Sequence, residues 1–162
     1  MKKISVFVLC TIMVLSTVAC GSKITEKDVD VPDPFIDCET LENAEQLAGF
    51  EISLPEKMPE GFTLNAIRAI EKDLIEIDYI NGDDKIYIRK AKGNEDISGD
   101  YNEYKENNTI EIGKLNVKMR GNDGMINVAT WNDGDYSYAI GANNGEKGID
   151  SNVVNDMVLN IQ

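Results

Sequence analysis

Four glycine-containing turns, each set between runs in which apolar and polar residues alternate, constrain the fold of this chain more than any other feature. They are Asn81-Gly82, Gly113-Lys114, Asn122-Asp123-Gly124 and Asn132-Asp133-Gly134-Asp135. Tight hairpin turns need backbone with positive φ, which glycine and asparagine adopt at least cost. A period of two on either side describes strands with one face turned inward. The middle of the chain is therefore expected to be a run of antiparallel hairpins.

The runs agree with this. From Leu74 to Ile80, Ile75, Ile77 and Tyr79 share one face while Glu76 and Asp78 share the other. From Lys85 to Lys92, Ile86 and Ile88 oppose Lys85, Tyr87 and Arg89. Joined at Asn81-Gly82 by a two-residue turn or a four-residue loop, the two runs set isoleucines against isoleucines and acids against bases. Phe62 to Ile70 alternates more loosely and reads as a further strand. Across Gly113-Lys114, Ile110 and Ile112 face Val117 and Leu115, with Asn116, Lys118 and Arg120 toward solvent. Met125 to Trp131 and Tyr136 to Ile140 follow, and a four-residue loop between them sets Trp131 opposite Tyr136 and Ala129 opposite Tyr138. Both faces of this last hairpin are apolar, which places it centrally.

A helix is expected at each end of the strands. Thr40 is a capping residue, Leu41, Ala44, Leu47 and Ala48 form an apolar stripe, and Gly49 supplies a left-handed stop with Phe50 able to fold back on the last turn. Pro55, Pro59 and Gly61 then forbid helix or central strand, so Ile52 to Phe62 reads as an extended, turned connector. Asn143-Asn144-Gly145 and Gly148 break the last strand. Asp150 caps a second helix, with Ile149 stapled to Val154, and Val154, Met157, Val158 and Ile161 on one stripe. The expected fold class is α+β, an antiparallel β-meander of about six or seven strands with an N-terminal and a C-terminal helix packed on it.

The first residues carry an address. Lys2 and Lys3 precede an apolar run from Ile4 to Leu15 and a small-residue stretch ending in Ala19-Cys20-Gly21. A dozen apolar residues suits a signal peptide and falls short of the roughly twenty that span a bilayer. Leu15-Ser16-Thr17-Val18-Ala19-Cys20 resembles the bacterial lipoprotein box, with Val18 and Ala19 on its pattern and Thr17 where leucine is usual. The resemblance implies a lipoprotein-type signal peptide over 1–19 and a palmitate-type lipid anchor on Cys20. Composition then reads 20–36 as the lipidated cysteine and a flexible acidic linker, and leaves a single α+β domain over 37–162. The domain would sit at the extracytoplasmic face of the cell membrane, since two or more acyl chains suffice for stable attachment. With Pro32 and Pro34 and no apolar periodicity, the linker reaches on the order of 50 Å at full stretch. Acylation of Cys20 leaves Cys38 as a lone thiol, read as idle or, near a helix start, as a reactive thiolate. An unmodified Cys20 would instead be free to pair with it in an oxidising exterior.

Sixteen basic residues against 29 acidic give a net charge of −13, and removal of Lys2 and Lys3 takes this to 14 − 29 = −15. Such a surface repels nucleic acid and anionic head groups, so no nucleic-acid partner is expected and the membrane is reached only through lipid on Cys20. The charge reads as solubility beside an anionic envelope, or as attraction for a cationic partner or divalent ions.

The chain has no histidine, which removes imidazole bases, imidazole metal ligands and the triads built on them. Ser53, Ser98, Ser137 and Ser151 stand in no nucleophile motif, and no glycine-rich phosphate loop occurs. Asn-Asp-Gly occurs twice, but the alternating positions before each glycine hold Asp133, Trp131 and Ala129, and Asp123, Gly121 and Met119, which is not a calcium loop. Among 29 acids some pair always lies at glycosidase spacing, and none stands out. No catalytic residue, cofactor site or metal site is expected. The candidate contact surface is the polar stretch Gly93 to Asn108, long for a compact domain, with Tyr101 and Tyr104, and its alternative reading is an idle loop pinned by those two tyrosines. To it are added Trp131, Tyr136 and Tyr138, read as a packed sheet face or a sugar-stacking platform.

Leu54-Pro55, Met58-Pro59-Glu60-Gly61-Phe62, Ser98-Gly99-Asp100-Tyr101, Ala129-Thr130-Trp131 and Tyr136-Ser137-Tyr138, in that order and followed by the terminal helix, resemble a family of extracytoplasmic domains of unknown function. Its members are stand-alone lipoproteins of Gram-positive bacteria and the outer domains of some membrane-bound anti-sigma factors. The resemblance spans Thr40 to Gln162. It implies an α+β fold with an antiparallel sheet, export, and a binding or sensing role, and it carries over no catalytic residue. Unlike the anti-sigma members, this chain shows no sigma-binding part and no retained membrane helix. The function expected is that of a non-enzymatic binding or sensing module with an envelope protein or cell-wall component as partner. The alternatives are an envelope glycan hydrolase using carboxylates and a structural accessory of an envelope complex.

Overall fold

The computed structural model describes residues 33–143 and 147–162. The expected signal peptide, Cys20 and the expected linker as far as Pro32 lie outside the described residues, as do Asn144 and Gly145. In chain order the elements are β1 (Ile36–Cys38), α1 (Leu41–Ala48), β2 (Thr63–Ile70), β3 (Leu74–Asn81), β4 (Asp84–Lys92), β5 (Glu106–Ile112), β6 (Leu115–Asn122), β7 (Met125–Asp133), β8 (Tyr136–Asn143), β9 (Ile149–Asp150) and α2 (Ser151–Asn160).

The strands form one antiparallel sheet in the order β1-β2-β3-β4-β8-β7-β6-β5, with the short β9 paired to β7. Nine strands among the described residues exceed the six or seven expected, because β1 and β9 are too short for a period of two to show. The order also differs from a plain meander. Two meanders, β1 to β4 and β5 to β8, are joined through the β4–β8 ladder, where Ile88 lies opposite Ile140. The chain must therefore pass from β4 to the far edge of the sheet before β5 begins. Residues 93–105 make that crossing.

All four turn signals lie where hairpins form. Gly82-Asp83 closes β3–β4 with Ile77 opposite Ile88 and Glu76 opposite Arg89. Across Gly113-Lys114, Ile112 is opposite Leu115 and Ile110 opposite Val117. At Asp123-Gly124 both residues have positive φ, +53° and +78°, the pair of values that a two-residue turn matched to strand twist requires. The fourth turn is tighter than expected. Asp133 pairs with Tyr136, so Trp131 lies opposite Tyr138 rather than Tyr136. A two-residue turn at Gly134-Asp135 keeps two more ladder residues paired than a four-residue loop, and a shift of two leaves every side chain on its original face.

One face of the sheet is apolar. Ile75, Ile77, Tyr79, Ile86, Ile88, Val117, Met119, Ala129, Trp131, Tyr138 and Ile140 share a single buried cluster with Ala44, Ala48, Val154, Met157, Val158 and Ile161 of the helical segments. Helix α1 starts at Thr40, whose hydroxyl accepts from the Asn43 amide at 3.2 Å, and ends at Gly49, φ +79°. Helix α2 starts at Asp150, whose carboxylate accepts from the Asn152 amide at 2.9 Å. The connector is tied down where it leaves α1: the Ile52 amide donates to the Glu45 carboxylate at 2.9 Å, and the Ser53 amide to the Gln162 carbonyl at 3.0 Å.

The folded unit begins at Asp33, four residues before the expected boundary. Residues 33–36, read from composition as the end of the linker, are held by contacts that composition does not register. Ile36 pairs with Ala69 in the sheet, and the Phe35 ring lies 4.7 Å from the guanidinium carbon of Arg68.

Candidate functional site

The face opposite the helices is charged, and it is built from the polar positions of the same strands. Arg68 on β2, Glu76 and Asp78 on β3, Lys85, Tyr87 and Arg89 on β4, and Arg120 on β6 all lie there. These include all three arginines of the chain. Glu76 is 1% exposed and Asp78 4%, and a buried carboxylate persists only where partners replace its water. Glu76 has two: Arg68 bonds one oxygen, and Arg89 donates from Nε to the other at 2.6 Å and approaches it with Nη2 at 2.5 Å. Burial pushes the Glu76 carboxyl up, but the Arg89 charge and the hydrogen bonds from Arg68 and Arg89 outweigh it and hold the carboxyl below its usual range. For Asp78 the balance falls the other way. Burial raises it, and Lys85 at 2.7 Å only partly offsets that and the repulsion from Glu76. Its Oδ1 is buried without a hydrogen-bond partner among the described residues. Phe35 covers this group from the side, its ring within cation–π range of both Arg68 and Arg89.

The crossing segment 93–105 lies against this face, held by the sheet's own side chains. Arg89 Nη1 donates to the carbonyls of Ile97 at 2.9 Å and Ser98 at 2.8 Å, and the Tyr87 hydroxyl donates to the Ser98 carbonyl at 2.8 Å. From β6, Arg120 donates to the Asp100 carbonyl at 3.2 Å and the Ser98 hydroxyl at 3.0 Å. Arg120, expected in solvent, is thus a clamp with a side chain 12% exposed. A period of two assigns it correctly to the polar face but is blind to a segment crossing that face. Two glycines permit the close approach. A Cβ on Gly141 would overlap the Tyr87 ring, and one on Gly99, φ +65°, would come within 2.8 Å of Arg89 Nη1. Burial, first, and then Asp100, Glu76 and Tyr104 push the Tyr87 hydroxyl up to about 12 against the pull of Arg89, so it stays a donor.

Between the segment and the end of β4 is a cavity of about 310 Å³ whose wall includes Lys85, Tyr87, Arg89, Asp100, Asn102 and Tyr104. Tyr104 donates to the Asp100 carboxylate at 2.8 Å, which also accepts from the Asn102 backbone and side-chain nitrogens. Arg89 is engaged by Glu76 and the segment's carbonyls, and Lys85 and Asn102 are bonded to Asp78 and Asp100. What can meet a ligand is therefore the remaining N–H capacity of the Lys85 ammonium and the Asn102 amide, with the Tyr104 oxygen. Among the lining residues Asp100 is the one carboxylate. Hydrolysis by two facing carboxyls therefore finds no support in this cavity.

The four tyrosines and one tryptophan proposed as a contact surface divide between the two sides. Tyr104 lines the cavity, and Tyr101 in the same segment is 95% exposed. Trp131 and Tyr138 lie beneath the helices on the apolar face, each 3% exposed, their rings stacked with centroids 5.2 Å apart and 4° between planes. Tyr136 packs on Phe50, with centroids 5.2 Å apart. Around Tyr136 and Tyr138 the buried Lys90 is enclosed. Its ammonium is 4.6 and 5.2 Å from their centroids and donates to the Glu51 carbonyl at 2.8 Å. Trp131 and Tyr138 are therefore packing, not a stacking platform, while Tyr136 is partly buried and also borders a cavity with Lys92 and Asn94. The missed residues are Glu76, Asp78, Arg68, Arg89 and Arg120. For Glu76, Asp78 and Arg89 the available signal was the alignment of acids with bases across the β3–β4 hairpin; Arg68 and Arg120 lie on other strands and had none.

Cys38 is a free thiol, half-exposed. Burial and then the neighbouring Asp37 raise it above its usual value, the opposite of a reactive thiolate. No described helix is long and apolar enough to cross a membrane.

Fold and site together define an antiparallel α+β module with one apolar, helix-covered sheet face and one charged face bridged by a crossing segment. Comparison with protein-family models, with curated proteins and with solved structures finds no match.

Proposed function

We propose that this chain is a non-enzymatic binding module of the bacterial envelope, lipid-anchored through Cys20 and held at the extracytoplasmic face. We place its ligand site in the cavity beneath residues 93–105. The observation that carries the site is the use of all three arginines to fix that segment and its supporting carboxylate, which leaves Lys85, Asn102 and Tyr104 around an open cavity. An ammonium, an amide and a phenol oxygen suit a hydroxyl-rich, uncharged or weakly anionic ligand, and cell-wall fragments have that chemistry. The family of extracytoplasmic lipoprotein domains that the motifs resemble supports the same reading.

The test is calorimetric titration and thermal shift of the purified chain with soluble glycan and peptide fragments of cell wall. At least one fragment is expected to bind and to raise the melting temperature, and Asn102→Ala or Lys85→Ala is expected to weaken it about tenfold or more. Absence of binding across the panel, or binding unaffected by either substitution, rejects the site. The anchor is tested separately by mass spectrometry of the mature N-terminus from a Gram-positive host, with a diacylglyceryl group on Cys20 as the expected result and an unmodified Cys20 as the contrary one.

A further inference from the structure

Strand β5 closes the sheet on one side, with no neighbour beyond it among the described residues. The opposite margin is guarded: β1 is three residues long and follows Pro32 and Pro34, which have no N–H to offer a partner. Strand β5, Glu106-Asn107-Asn108-Thr109-Ile110-Glu111-Ile112, has seven residues with neither proline nor lysine, and five of them are exposed. Its pairing with β6 shows which main-chain groups remain. Ile112 and Leu115 flank the two-residue turn. In such a hairpin the flanking pair is hydrogen-bonded, and hydrogen-bonded pairs alternate along the ladder. Ile112, Ile110, Asn108 and Glu106 thus turn their amides to β6. Those of Asn107, Thr109 and Glu111 point away from the sheet.

We propose that this edge pairs with the same edge of a second copy of the chain, antiparallel, around a two-fold axis at Thr109. Of the registers open to the strand, this one pairs all seven residues. It sets Thr109 opposite Thr109, Asn107 opposite Glu111 twice over, and Asn108 opposite Ile110, and it forms about six main-chain hydrogen bonds. No like charges meet. Glu111 faces a side-chain amide that can donate to it, and the other acid, Glu106, already accepts from the Gly124 amide at 3.1 and 3.2 Å. Ile110, 38% exposed in one copy, comes diagonal to its counterpart, within reach of a long side chain. The contact is isologous and closes on itself, so it stops at two copies.

Sedimentation equilibrium of the full-length chain over a wide concentration range, at about 0.15 M salt to screen the two negative molecules from each other, is expected to give a monomer–dimer equilibrium. Hydrogen exchange at the amides of Asn107, Thr109 and Glu111 is expected to slow as concentration rises. Thr109→Pro removes an outward N–H and leaves the β5–β6 bonds in place. It is expected to raise the dissociation constant at least about tenfold while the monomer stays folded. Should that variant fail to fold, Asn107→Pro at another outward position replaces it. A chain monomeric throughout, a dimer indifferent to these prolines, or protection of the three amides that does not depend on concentration would each overturn the proposal, the last by showing that the chain covers its own edge.

Discussion

At the scale of single residues, the two buried acids of the charged face are neighbours on one strand and behave in opposite ways. Glu76 is held below its usual range, so its ionised form supplies stability that is present above the unfolded value of about 4.3 and is lost as pH falls through the depressed value. Asp78 is raised, so its contribution is complete below the unfolded value of about 3.9 and is lost as pH rises through the raised one. Glu76→Gln leaves Arg68 and Arg89, whose side chains are 25% and 19% exposed, without their carboxylate. It is expected to cost about 3 kcal/mol at neutral pH. Urea denaturation from neutral to acid pH should show wild type and variant converging as Glu76 becomes protonated, and a gap constant with pH would refute the assignment. Asp78→Asn is expected to stay within about 1 kcal/mol of wild type, because it releases a strained charge and Lys85, 32% exposed, can turn to water. Gly141→Ala forces the Tyr87 ring off β8 and is expected to destabilise by about 1–3 kcal/mol. Combination with Tyr87→Leu should recover part of that loss, and strict additivity would mean that the two positions do not touch.

At the scale of elements, hairpins and helix ends could be read locally and the pairing that joins them could not. Asn81-Gly82, Gly113-Lys114 and Asn122-Asp123-Gly124 state their turns in two or three residues, and Thr40 with Gly49, or Asp150 with Ile149, state a helix boundary as briefly. The β4–β8 ladder brings Ile88 against Ile140 from far apart in the sequence, and both strands present the same apolar pattern to any partner. For the same reason the crossing of residues 93–105 was visible only as a long polar stretch, to be read as an idle loop or as a contact surface. Alternation told which residues share a face with Arg120, but what covers the face depends on the strand order. The Trp131–Tyr138 register was missed by two residues because Asn-Asp-Gly-Asp suits a two-residue turn as well as a four-residue loop. That the crossing is an element in its own right has a testable consequence. Arg120→Met keeps the apolar stem and removes the donors to Asp100 and Ser98. Exchange protection should fall over residues 96–102 while the β6–β7 amides keep theirs, with little change in global unfolding. A uniform loss through the sheet would mean that Arg120 supports the fold rather than the crossing.

At the scale of the whole molecule, charge and fold are at odds, and salt reveals which one dominates. A chain with 16 basic and 29 acidic residues repels itself when compact. Several of the cations are moreover committed inside the charged face, where Arg68, Arg89 and Arg120 are held by Glu76 and the crossing segment. What remains outside includes exposed pairs such as Lys105 with Asp123 at 3.4 Å and Lys147 with Asp84 at 3.3 Å. Such pairs contribute at most about 1 kcal/mol each and are themselves screened. Two effects of salt therefore compete: weakening of a few surface pairs, and relief of a net charge of −13. The second acts on every exposed acid once the Debye length falls to about 8 Å at physiological ionic strength, whereas the buried bridges to Glu76 are beyond its reach. The melting temperature is accordingly expected to rise by several degrees between low and physiological sodium chloride, with Glu76→Gln showing the same increment from a lower baseline. A fall with added salt would mean that the surface pairs outweigh self-repulsion. A much smaller increment in the variant would place the Glu76 cluster in contact with solvent, against its burial.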